Sequence, residues 1–286
     1  MNPIVLRKIN HALEQMDSLE IRKRLTQELD WFDADPGRGA CLYLLNDIAA
    51  RMRTRGVVLS PGYSYLPDSL LLYLLGVHAV NPIEWELPFE RFTQSFQQGR
   101  TIPVEVGTGG LEAAREVLQN RDGELIIETE PGRFEVTFLD GADFDRVTIQ
   151  IITYPTLDRF QRTIKEGWRH LDENTLRLFG RGDTDGSIWF ETEQMRKWLT
   201  EFDPESMSDL VLLNALCHPD RLGLFPEILR RKREFDYDEP YRDTYGVPIY
   251  QEQTADPKLA LKGHAIARTM MAVEALSGQL RHSALK

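Results

Sequence analysis

Apolar side chains recur early in the chain at the spacing of an amphipathic helix. Ile21, Leu25, Leu29 and Phe32 share one helical face, and Asp17-Ser18-Leu19-Glu20 ahead of them has the spacing of a capping box. Asp35-Pro36-Gly37 is expected to break that helix. A second helix is predicted over 40–55, with Leu45, Ile48, Ala49 and Met52 facing inward and Gly56 just past its end. Residues 57–59 form a short strand candidate. After Pro61-Gly62, Pro67 or Asp68 opens a helix over 69–75 that Gly76 closes, and a short helix over 88–92 follows. Residues 102–106 read as a second strand, and Leu111, Ala114, Val117 and Leu118 as a helix after Thr108-Gly109-Gly110. The period then changes to two. Residues 125–130 and 134–139 form a hairpin about Glu130-Pro131-Gly132-Arg133, because Phe134, Val136 and Phe138 alternate as on a half-buried strand. Residues 147–153 continue as a strand or the start of a buried helix. Beyond Leu157 the pattern is mostly helical, punctuated at Arg181-Gly182-Asp183, Asp203-Pro204, Pro219-Asp220 and Tyr245-Gly246. The expected fold class is α+β: an α+β domain over 1–170 and a mainly helical domain over 171–286.

Composition narrows the function. The chain has 286 residues, 42% hydrophobic and 28% charged, as an ordinary globular protein does. Its 34 basic and 45 acidic residues give a net charge of -11, so no global positive field draws in nucleic acid or an anionic membrane. Such binding needs a local basic channel. No run of apolar residues is long enough to span a membrane and no signal-peptide pattern opens the chain, so a cytoplasmic location is expected. Cys41 and Cys217 lie in apolar helical contexts and read as buried free thiols. Neither a catalytic Ser-His-Asp or Cys-His pattern nor a P-loop is present, and no metal-ligand spacing involves Cys or His. The acidic pairs Asp33 with Asp35, Asp143 with Asp145, Asp183 with Asp185 and Asp236 with Asp238 all sit in polar or turn contexts, where Asp serves local hydrogen bonding. The basic clusters Arg22-Lys23-Arg24, Arg51 with Arg53 and Arg55, and Arg230-Arg231-Lys232-Arg233 are interspersed with acids and read as solvated faces first and phosphate contacts second.

Three blocks carry a family resemblance. The first runs from Ser60-Pro61-Gly62 through Ser69-Leu70-Leu71-Leu72-Tyr73-Leu74-Leu75-Gly76 to Leu87-Pro88-Phe89-Glu90-Arg91-Phe92. The second is Arg181-Gly182-Asp183-Thr184-Asp185-Gly186 to Glu191-Thr192-Glu193-Gln194-Met195-Arg196. The third and most specific is Thr244-Tyr245-Gly246-Val247-Pro248-Ile249-Tyr250-Gln251-Glu252-Gln253. In this order they resemble the C-family polymerases, the bacterial replicative DNA polymerase III alpha subunit, over residues 22–271. The resemblance implies a palm, here with an inserted hairpin near 125–139, and the beginning of the fingers. It leaves too few residues between Thr153 and Leu171 for the thumb.

The same resemblance implies two magnesium ions held by carboxylates, two of them alternating on one palm strand so that both face the metals. Aligning Pro103 with the family's proline puts Val104 and Val106 at those positions and Glu105 on the other face; a one-residue slip recovers only Glu105. The third carboxylate is either lost with the thumb or falls at Gln150. The family's Gly-Arg-Gly-Ser phosphate loop becomes Gly62-Tyr63-Ser64-Tyr65, which loses a glycine and a cation. Tyr63 and Tyr65 read as aromatics covering the core, with base stacking as the alternative. Arg91 and Arg100 match family basic residues near nucleotide or primer, and Arg230 and Arg231 lie where the fingers approach DNA. The expectation is a polymerase III alpha-like protein with degenerate metal positions at Val104, Glu105 and Val106, no catalytic residue, no cofactor and no metal. Its role would be binding or structural, toward an unknown protein partner or as a homo-oligomer, with DNA binding weak. Two alternatives stay open: an active nucleotidyltransferase using magnesium on substitute carboxylates, and an interaction module unrelated to DNA.

Overall fold

The computed structural model describes residues 3–13, 18–119, 124–139, 144–160, 171–234, 237–238, 240–254, 256 and 259–284. Asp143 and Asp236 lie outside the described residues. The chain divides into two compact units, Met1–Gln161 and Arg162–Lys286.

In the first unit, helix α1 (Pro3–Leu13) precedes α2 (Leu19–Asp33), which Ser18 caps by accepting the Ile21 N–H at 3.2 Å. Helix α2 ends at Asp33, where Asp35-Pro36-Gly37 was expected to break it, and α3 (Pro36–Thr54) starts there, four residues before the expected 40. Asp35 is its N-cap, accepting from Gly37 N at 2.8 Å, and Pro36 sits at the first helical position, where a missing N–H costs nothing. The strand candidate at 57–59 reduces to one bridge between Leu59 and Val106. The next helix, α4 (Leu70–Leu74), is capped by Ser69, and α5 runs further than expected, over Phe89–Gly99.

Strand β1 (Thr101–Val106), helix α6 (Gly110–Leu118) and strands β2 (Glu124–Glu130), β3 (Arg133–Phe138) and β4 (Arg146–Thr153) follow. The sheet order is β1-β4-β3-β2; β1 is parallel to β4, and β3 is antiparallel to both β4 and β2. Register pairs Ile102 with Ile149, Phe134 with Ile149 and Val136 with Val147. These partners share one face, which joins α3 and α6 in the core. Trp31, Phe32, Tyr65, Phe89, Phe92 and Phe96 close that core with edge and stacked ring contacts at 4.9–6.5 Å, including Trp31 on Phe32 at 4.9 Å.

Beneath α4 lies a buried ionic knot. Glu28 is fully buried and accepts from Ser69 Oγ at 2.7 Å, Leu70 N and Leu71 N at 2.8 Å, and Arg24 Nε at 2.7 Å. Arg24 also donates to the carbonyls of Leu87 and Asp68, pinning both ends of the segment between them. Burial raises the Glu28 carboxyl above its ordinary value, and Arg24 with the N–H donors pulls only part of the way back.

The second unit is helical. Asp172 caps α7 (Glu173–Arg181), and Gly182 ends it in the left-handed region at φ 72°. Thr192 caps α8 (Glu193–Phe202), and Ser206 caps α9 (Met207–Leu216). Helix α9 is buried on nearly all sides and packs on the long α12 (Lys262–Ala284). Between them lie α10 (Phe225–Glu234) and the single turn α11 (Gln251–Thr254). Cys41 is buried as expected; Cys217 is exposed, because it follows the last buried turn of α9.

Candidate functional site

On β1, alternation sets Ile102, Val104 and Val106 toward the core face and Thr101, Pro103 and Glu105 toward the opposite, more open face, where Pro103 is itself buried and Thr101 and Glu105 are half-buried. Val106 is fully buried, and Gly110 at the start of α6 lies so close that a Cβ there would come within 2.3 Å of it. Val104 is half-buried against the same core. Thus the two valines that the resemblance aligns with metal positions are packing residues, and Glu105 is the one acidic residue of β1.

Across the sheet, Pro103 registers with Gln150 and Gln150 with Arg133, so these side chains share the open face. Arg133 donates from Nη1 to Gln150 Oε1 at 3.3 Å, and Gln150 Nε2 donates to the Gly132 carbonyl at 3.4 Å. The hairpin therefore brings a guanidinium onto Gln150, one of the two places considered for the third carboxylate. Gly132 makes the approach possible: at φ 82° its carbonyl accepts from Ile151 N at 2.7 Å, and a Cβ would sit 2.8 Å from the Ile151 carbonyl oxygen.

The loop at Gly62-Tyr63-Ser64-Tyr65 lies alongside β1. Ser60 N donates to the Glu105 carbonyl at 3.0 Å and Gly107 N to the Val58 carbonyl at 2.8 Å. Gly62 N donates to Ser60 Oγ at 3.3 Å. Ser64 holds the left-handed conformation at φ 53°, where the family pattern has glycine. Tyr65 is buried, donates its hydroxyl to the Thr101 carbonyl at 2.8 Å and packs on Phe92 and Phe96, so it is a core residue; burial pushes its hydroxyl pKa up. Tyr63 is half-buried.

The basic candidates differ in their commitments. Arg91 on α5 is half-buried; its Nε is buried without a hydrogen-bond partner among the described residues, and no carboxylate pairs with it there. Arg100 ends α5 at φ 44°, lies over the Phe144 ring at 5.3 Å and approaches Asp145 at 3.5 Å. In the second unit, Arg230 is exposed, whereas Arg231 pairs with Glu227 at 2.8 Å and donates to the Gly246 carbonyl at 3.3 Å. Lys232 donates to the carbonyls of Phe202 and Asp203, closing the end of α8. In the other clusters, Arg24 is built into the Glu28 knot and Arg51 and Arg55 pair with Asp47 and Glu116.

Members of three of the acidic pairs are committed to local contacts, Asp145 to Arg100 as above. Asp35 caps α3 and accepts from Phe144 N at 3.1 Å; Asp185 pairs with Arg196. Asp158, which no local pattern singled out, holds the end of β1: its carboxylate accepts from Thr108 N at 3.0 Å and blocks the space of a Cβ on Gly107. Among the described residues, no three His, Cys, Asp or Glu side chains converge as a metal site would require.

The most specific block proves to be a folding motif. Gln253 accepts from Ile249 N at 2.8 Å and Tyr250 N at 2.9 Å, and donates to the Pro240 carbonyl at 2.9 Å and Thr244 Oγ1 at 2.8 Å. Glu252 accepts from Lys262 N at 3.1 Å at the start of α12. Residues 161–280 match the bacterial DNA polymerase III alpha subunit finger domain. This chain is similar to the polymerase III alpha subunit. A Thermotoga maritima DNA polymerase III subunit alpha is 26% identical over 82% of the chain, a Thermus aquaticus one 25% identical over 52%, and a Borreliella burgdorferi one 30% identical over 34%. The match covers 35%, 14% and 9% of those relatives, so the polymerase III alpha-like chain spans about a third of the length of a relative at most among these. No helix of the described residues is long and apolar enough to cross a membrane.

Proposed function

We propose that this polymerase III alpha-like chain is a palm-like and fingers-like scaffold that binds a partner without transferring nucleotides, in the cytoplasm and in connection with DNA replication. The observation that carries the reading is the polarity of β1. Two magnesium ions need hard oxygen ligands from one face, yet the strand turns Val104 and Val106 into the core and leaves Glu105 on the open face, across which Arg133 meets Gln150. A guanidinium on that face opposes metal binding by charge. The replacement of the cationic glycine-rich loop by Gly62-Tyr63-Ser64-Tyr65, with Tyr65 drawn into the core, supports the same reading.

Nucleic acid remains a partner on one specific ground, the half-buried Arg91 guanidinium with an unsatisfied Nε. A labelled primer-template duplex tests this by fluorescence anisotropy at about 50 and 200 mM salt, because phosphate contacts weaken steeply over that range. Weak, salt-sensitive binding that Arg91→Ala abolishes is expected; tight binding enhanced by magnesium and nucleotide would revive the enzyme built on Glu105 and substitute acids. Absence of binding at both salts would point to protein partners alone.

A further inference from the structure

We draw no further inference here: the strongest candidate, the outer edge of β2 with its exposed Leu125 and Ile127, carries nothing because Glu128 is already committed to Arg115 and nothing in the structure shows what covers the edge.

Discussion

Replacing Val106 by Asp puts an acid where the resemblance implies a metal position, and should damage the fold rather than create a site. Val106 has no exposed surface and supports the start of α6 at Gly110. Removing its side chain from the core forfeits about 1.5 kcal/mol or more of transfer energy, and placing a carboxylate there costs several kcal/mol more. The N-terminus of α6 returns about 1 kcal/mol at most. A net loss of at least about 4 kcal/mol is a large part of the 5–15 kcal/mol typical of a domain. For a unit of this size that corresponds to a fall of roughly 8–16 °C in melting temperature. The control is Glu105→Gln on the open face of the same strand, expected within about 0.5 kcal/mol of the parent. Thermal unfolding by circular dichroism, run at about pH 8 and pH 5, measures both; the Val106→Asp deficit should be larger at the higher pH, because a buried carboxyl is tolerated only when protonated. A Val106→Asp protein melting within about 2 °C of the parent, with Glu105→Gln the more damaging change, would refute the assignment of faces on β1.

Glu28→Ala should cost about 3–5 kcal/mol by urea unfolding, since it leaves Arg24 and three further buried donors without their acceptor. His78 is buried, its Nε2 3.0 Å from the Ser69 carbonyl, and desolvation pushes its pKa from 6.5 down to about 4. The folded state therefore binds fewer protons than the unfolded one between those values. That contribution, about 3 kcal/mol, is present above pH 6.5 and lost as pH falls toward 4, and His78→Gln should flatten the pH dependence of stability in this window. Ser64 at φ 53° tolerates glycine but not a β-branched residue: Ser64→Gly should leave stability within about 0.5 kcal/mol, and Ser64→Val should cost about 2 kcal/mol.

Period and local turn chemistry made much of this fold readable. The hairpin showed as a switch to alternating Phe134, Val136 and Phe138 around Pro131-Gly132, and the structure places its arms within one residue of the expected ends. The opposite orientation of Val104 and Glu105 followed from the same alternation. Asp35-Pro36 marked the end of α2 correctly but hid the start of α3, because a cap followed by a first-turn proline shares its residues with a turn that ends a helix. Contacts distant in sequence left no local trace. Glu28 looks like a surface position of α2 until the chain returns more than 40 residues later with Ser69 and Leu70. Arg133 meets Gln150 only through the register of β3 and β4, and Arg231 and Lys232, read as a solvated face first and phosphate contacts second, are engaged by Glu227, Gly246 and the end of α8.

The central claim is that β1 presents no carboxylate pair able to hold metals for nucleotidyl transfer. Primer extension tests it most directly, with the purified intact chain, a primer-template, all four deoxynucleotides, and magnesium or manganese. No elongation is expected in either metal. Elongation by the purified chain that Glu105→Gln abolishes would contradict the claim and identify Glu105 as part of a working site.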